Sequence, residues 1–219
     1  MTATDREIQL PAAGVNLDAT LSVPDFARGI IVFAHGSGSS RHSPRNRLVA
    51  ARLNGAGFDT LLLDLLTAQE ERVDARTAQW RFDIGLLSER LVAACDWVGS
   101  DPGTSSLPAG LFGASTGAAA ALVAAAARPE QIRAVVSRGG RPDLAGQALT
   151  KVQASTLLIV GGEDYPVIQL NQQAAATLGP LAKLVIVPGA SHLFTEPGAL
   201  EQVAELAVVW FDEHLGGIR

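Results

Sequence analysis

The chain has 219 residues, enough for one domain of ordinary to large size or two small ones. Apolar residues make up 47% and aromatic residues only 5%, so a core must be built mostly from Ala, Leu and Val. A formal charge of −5, with 18% of residues charged, argues against a nucleic-acid-binding protein.

Residues 1–10 are acidic in places and contain no apolar run of signal-peptide length, so a cytoplasmic protein is expected. Glu7 to Leu10 and Val15 to Val23 alternate apolar and polar around Pro11-Ala-Ala-Gly14, the pattern of an antiparallel hairpin at a sheet edge. From there the pattern changes to short, continuous apolar runs separated by helical stretches. The runs are Ile30 to Ala34, Thr60 to Leu66, Ala109 to Phe112, Ala134 to Val136, Thr156 to Val160 and Leu184 to Val187. Continuous rather than alternating runs predict strands buried on both faces. The helical stretches are Pro44 to Gly57, Trp80 to Gly99, Thr116 to Arg128, Val167 to Leu178 and Ala199 to His214. Cys95 is the single cysteine; it allows no internal disulfide, fits a reducing compartment, and sits in a helical pattern where a core role is expected. The alanine-rich segment Gly117 to Ala127 is too short to span a bilayer and ends at Arg128-Pro129, so no membrane association is expected. Strand–helix alternation of this kind predicts an α/β fold. The expectation is one domain over residues 1–219, with a doubly wound, mostly parallel sheet and helices on both faces.

Ligand sites in such sheets lie beyond the carboxyl ends of the strands. The polar residues that directly follow apolar runs are therefore the ones to weigh. They are the loop His35-Gly-Ser-Gly-Ser-Ser40, the turn Gly113-Ala-Ser-Thr-Gly117, the segment Ser137 to Asp143, the pair Glu163-Asp164, and Pro188-Gly-Ala-Ser-His192. A serine hydroxyl is a poor nucleophile and needs a base, which in turn needs an orienting carboxylate. The G-x-S-x-G turn holds Ser115 on a tight bend whose flanking glycines let strand and helix approach closely. The helix beginning at Thr116 aims its free N–H groups at the serine oxygen. Ser115 thus reads as a nucleophile, with the Thr116 N–H as an oxyanion donor.

Of the four histidines, His35 reads as a brace for its turn, His42 lies in a polar loop and His214 lies near the end of the chain. His192 follows the last apolar run and is the candidate general base. Asp164 is the candidate carboxylate, with Glu163 and Asp143 as rivals; the order Ser115, Asp164, His192 is the one expected on an α/β sheet. The loop after His35 supplies a second oxyanion donor, the N–H of Ser37 or else of Gly38. HGSGSS lacks the following Gly-Lys-Ser/Thr of a phosphate loop, and the Ser115 turn lacks the third glycine of a dinucleotide fingerprint. Arg41, Arg45, Arg47, Arg138 and Arg141 are expected along one rim. They either pair with Asp143 and Glu163 or, for Arg41, Arg138 and Arg141, bind an anionic substrate group.

HGSGSS, GASTG, GGED and PGASH, in this order and at this spacing, resemble the α/β-hydrolase superfamily in its compact branch, similar to dienelactone hydrolases. The resemblance covers nearly the whole chain. It implies a sheet of about eight strands and a Ser, Asp, His hydrolase that uses no metal and no cofactor. In the dienelactone pattern a cysteine stands where Ser115 stands here, which argues against a dienelactone as substrate. No stretch is long enough for the large helical cap of many relatives, and residues 67–79 are the candidate for a small flap. The expected activity is cleavage of a small-molecule ester or thioester through an acyl-enzyme, by a monomer or homodimer. Acyl transfer on the same residues, or a receptor or scaffold without turnover, are the alternatives.

Overall fold

The computed structural model describes residues 3–216. Eight strands form one sheet: β1 (Thr4–Ala12), β2 (Val15–Val23), β3 (Ile30–Ala34), β4 (Asp59–Leu63), β5 (Ala109–Ala114), β6 (Ile132–Arg138), β7 (Ser155–Gly161) and β8 (Ala182–Val187). Their order across the sheet is β1-β2-β4-β3-β5-β6-β7-β8. β1 pairs antiparallel with β2, and β2 antiparallel with β4; every pair from β4 across to β8 is parallel. The hairpin predicted at the edge is therefore present. It is tighter than its sequence suggested, since pairing continues to Ala12 opposite Val15. Ala13 and Gly14 make the turn alone, both at positive φ, as a two-residue hairpin loop requires.

The helices are α1 (Pro44–Gly55), α2 (Ala68–Thr77), α3 (Ile84–Ser100), α4 (Thr116–Ala127), α5 (Tyr165–Leu178) and α6 (Ala199–Leu215), with a 3₁₀ stretch over Pro142–Lys151. Alternate residues of β3 explain why the apolar runs are continuous. Ile31 and Phe33 pack under α1 and α6, while Ile30, Val32 and Ala34 pack under α3 and α4. Both faces of the central strands are thus dry, and each residue of a strand is buried on one face or the other. Eight of the twelve residues of α4 are alanine and most of its length is buried, so it lies close against the sheet.

Two boundaries differ from the sequence reading for local reasons. The run Thr60–Leu66 ends as a strand at Leu63; Asp64 turns the chain, and Leu65 and Leu66 fill the core from a loop. The helix expected from Trp80 begins only at Ile84, because Asp83 caps it by accepting from the Leu86 N–H at 3.0 Å. The candidate flap is largely helical: α2 opens with a capping box in which Thr67 and Glu70 each satisfy the other's backbone N–H. Cys95 is buried in α3. No helix among the described residues is long and apolar enough to cross a membrane.

Candidate active site

β5 runs straight into α4 at Ser115, which stands at φ 51° and ψ −120°. A left-handed backbone at a residue with a side chain costs on the order of 1–3 kcal/mol and persists only where the surroundings enforce it. Here they do. The Ser115 N–H donates to the Arg138 carbonyl at 3.2 Å, and the Ser115 carbonyl accepts from the N–H groups of Ala118 and Arg141, each at 3.1 Å. A Cβ at Gly113 would come 2.7 Å from the Gly117 carbonyl oxygen, and one at Gly117 would lie 2.5 Å from the His35 carbonyl oxygen. Only glycine fits at either position, so the turn, strand and helix are locked by backbone-to-backbone approach.

The other two candidates follow β7 and β8, beyond β6 at the far edge of the sheet. Asp164 ends the turn after β7, and His192 lies in the loop after β8. These two loops are tied together: the Gly162 N–H donates to the Val187 carbonyl at 2.8 Å and the Glu163 N–H to the Ala190 carbonyl at 3.0 Å. His192 Nδ1 and Asp164 Oδ2 are 2.6 Å apart. The rivals are engaged elsewhere. Glu163 accepts from the Tyr165 hydroxyl at 2.9 Å, and Asp143 takes a bidentate pair from Arg141 at 2.7–2.8 Å. The histidine loop is anchored by Phe194, buried at φ 55°, and by Glu196, which accepts from the Ser191 N–H at 3.0 Å. The Ser191 hydroxyl and N–H hold the Glu196 carboxyl below its ordinary range. The imidazole of His192 lies over Gly139, where an added Cβ would stand 3.5 Å from Nδ1 and Cε1. The turn Arg138–Arg141 therefore bears on both candidates at once, through backbone bonds to Ser115 and through contact with the ring.

His35 braces its loop as expected: Nε2 accepts from the Leu65 N–H at 3.0 Å, and Nδ1 meets the Gly36 carbonyl at 2.9 Å. Burial pushes its pKa down, so it stays neutral in that role. The Ser37 N–H is not free in this structure. It donates to Thr116 Oγ1 at 3.0 Å, so the side chain of one candidate oxyanion residue occupies the donor of the other. The Thr116 N–H stands at the open first turn of α4, where no intrahelical acceptor exists. Ser37 and Thr116 border a small recess that is also lined by Leu65, Leu66 and Arg81. Arg81 had no signal in the sequence. Its Nε pairs with Asp74 at 2.7 Å, and its Nη1 faces Gly38 across the recess.

The five arginines do not form one set. Arg41 pairs with Asp64 and lies within 3.6–3.8 Å of Glu7 and Asp18, beside the edge hairpin. Arg141 is satisfied by Asp143. Arg138 is 7% exposed, and its Nε and Nη1 have no partner. Among the described residues no cluster of three or more His, Cys, Asp or Glu side chains is placed to hold a metal ion.

The Dienelactone hydrolase family model matches residues 17–212. The chain belongs to the dienelactone hydrolase family. A dienelactone hydrolase from Anabaena variabilis is 57% identical, with a TM-score of 0.96 over 98% of this chain and 100% of that one. Est1E from Butyrivibrio proteoclasticus shares the fold at 17% identity, with a TM-score of 0.79 over 96% and 99% of the two chains. Two Mycobacterium tuberculosis proteins, each named "Putative phosphoribosyl transferase", are 59% identical over 213 residues. That alignment takes in 97% of this chain but only 47% of theirs, so the chain spans about half the length of these relatives. The family match and the shared fold are those of dienelactone hydrolases.

Proposed function

We propose that the chain is a serine hydrolase that cleaves small carboxylic esters or thioesters through an acyl-enzyme. The observation that carries this is the 2.6 Å contact between Asp164 and His192, held over the turn to which the strained Ser115 is bonded. Asp164 accepts from Nδ1–H, which leaves Nε2 as the basic nitrogen. Ser115 Oγ attacks the acyl carbon as its proton passes to Nε2. The imidazolium, stabilised by Asp164, then protonates the departing alcohol or thiol. Water repeats the sequence on the acyl-serine, with His192 taking its proton and returning it to Ser115 as the acid leaves.

The oxyanion of each tetrahedral intermediate lies at the N-terminus of α4, against the Thr116 N–H. The Ser37 N–H is the second donor once the Thr116 hydroxyl turns away from it, a rotation of one side-chain torsion. Removing one such donor is worth about 2.7–4 kcal/mol of barrier in comparable sites. Tyr165, Leu193 and Phe82 are exposed large apolar or aromatic side chains. Tyr165 and Leu193 adjoin Asp164 and His192 in sequence, and they give the substrate's apolar part a surface to rest on.

The test is covalent labelling with a fluorophosphonate probe. Wild type is expected to react at one site and to show burst kinetics with an activated ester, and Ser115→Ala is expected to do neither. Labelling of the alanine variant at full stoichiometry sinks the assignment.

A further inference from the structure

The buried side of α5 is formed by Val167, Asn171, Ala174 and Leu178. Three of these four are apolar, as a helix packed on a core requires. Asn171 is the exception, and it is 0% exposed. Asparagine is a poor helix former, and burying its amide is unfavourable unless the amide is hydrogen-bonded. Its Nδ2 donates to the Gly140 carbonyl at 3.0 Å and to the Val167 carbonyl at 2.8 Å, while Oδ1 has no partner. With a carbonyl oxygen on each side of the nitrogen, the amide can point only one way. The Val167 carbonyl belongs to the helix's own ladder and needs no side chain. The bond to Gly140 is the contact that an apolar residue could not make.

Gly139 and Gly140 connect β6 to the 3₁₀ stretch, and a pair of glycines is the backbone with most freedom to move. Gly139 stands at φ 52°, and its N–H donates to the Ile159 carbonyl at 2.7 Å. Gly140 is wedged between Ser137 and Ala118, where no Cβ fits. Among the described residues, Asn171 is the one side chain that hydrogen-bonds this pair. The residues on either side hold Ser115: the Arg138 carbonyl accepts from its N–H, and the Arg141 N–H donates to its carbonyl. Gly139 itself lies against the imidazole of His192. The helix that carries Asn171 is preceded by Asp164, the partner of His192 Nδ1. α5 therefore presents the carboxylate at its start and, about two turns on, the amide that pins the turn beneath Ser115 and His192.

We infer that Asn171 is a positioning residue of the Ser115 site. By fixing the Gly140 carbonyl it holds Ser115 and His192 at the separation over which the proton passes between them. A reacting group displaced by about 1 Å can cost about a hundredfold in rate. This deepens the serine-hydrolase reading and rests on it for the effect on rate; the hold on the turn does not depend on it.

The experiment compares the full chain as wild type, Asn171→Leu, Asn171→Asp and Ser115→Ala. Leucine keeps the branched shape and removes the donor. Aspartate keeps the shape but donates only while protonated, a form that burial favours and rising pH removes. With 4-nitrophenyl butyrate, Asn171→Leu is expected to lower kcat by about tenfold to a hundredfold and to leave KM within about twofold of wild type. Asn171→Asp is expected to approach wild-type kcat on the acid side of its pH profile and to lose it at alkaline pH, a descending limb that wild type lacks. Amide hydrogen exchange at Ser115, Gly139 and Arg141 is expected to quicken in Asn171→Leu by at least about tenfold relative to the strand amides of Val32 and Leu111. If the leucine variant does not fold, Asn171→Asp carries the test, with its exchange compared at acid and alkaline pH. Wild-type kcat in Asn171→Leu overturns the inference. So does an Asn171→Asp profile parallel to that of wild type, or exchange at Ser115, Gly139 and Arg141 that rises no more than at Val32 and Leu111. Fluorophosphonate labelling of Ser115→Ala, with the exchange result intact, counts against the nucleophile and not against the hold on the turn.

Discussion

The Ser115 elbow and the segment from Thr67 to Arg81 border the same recess, and they are held in different ways. The elbow is held by apolar backbone approach. Two glycines admit no methyl group, an alanine-rich helix lies against the sheet, and hardly a charged group takes part. The segment is held by charge. Glu70 takes both arms of Arg90 at 2.7–2.8 Å, Arg90 also bonds the Leu65 carbonyl, and Asp74 takes the Trp80 and Arg81 N–H groups and the Arg81 side chain. Close packing fixes an atom to within tenths of an ångström and cannot be tuned by solvent. Charged hydrogen bonds fix it nearly as well, but they depend on pH and on both partners being present. The turn at Ser115 is thus held by the first means, and the segment beside it by the second.

The contrast can be broken at its apolar end first. Gly117→Ala places a methyl on the backbone oxygens of Ala34 and His35, and neither can move without shifting β3. The expected cost is about 3–5 kcal/mol, read from the urea midpoint. A variant that unfolds like wild type would mean that the elbow yields. At the charged end, Glu70→Gln leaves Arg90, 2% exposed, without its counter-charge. About 2–3 kcal/mol should be lost, together with faster amide exchange confined to residues 65–81. Uniform loss of protection over the whole chain would count against a locally held segment. Asp59 sharpens the comparison, because it is a buried carboxylate with no such partner. It is 1% exposed, its Oδ1 is unpaired, and burial raises its pKa to about 6. Below the unfolded value both states carry the proton and the group contributes no difference. As pH rises through 6 the folded chain must hold an unbalanced charge. Asp59→Asn is therefore expected to stabilise the chain by about 2 kcal/mol at pH 8 and by almost nothing near pH 4. Equal stabilisation at both pH values would show that the carboxyl is not the cause.

The strands were legible because a strand buried on both faces leaves an unbroken apolar run, as in Ile30–Ala34, and no surface helix imitates that in five residues. α2 was harder to read, since its charged residues carry no apolar stripe. The signal that marks its start is local, a threonine with a glutamate three residues on. At the site, the glycines around Ser115 and the histidine after β8 declare themselves by position alone. Which carboxylate meets His192 depends on how two loops are laced together, and Asp164 and Glu163 differ in sequence by a single step. The arginines were the least legible. Arg41 and Arg138 follow strands in the same manner, yet one lies beside the acidic hairpin and the other turns inward beside α1. The Thr116 hydroxyl on the Ser37 N–H joins residues 79 positions apart, and no spacing rule anticipates it.

Leu193 sits between a ring that reaches outward and a phenyl group sunk in the interior. Its own side chain is 44% exposed. Because the loop is pinned on both sides of it, position 193 is a place where bulk or polarity can be exchanged while the imidazole keeps its station. A lineage exploring new ligands has there a dial that turns without disturbing the works.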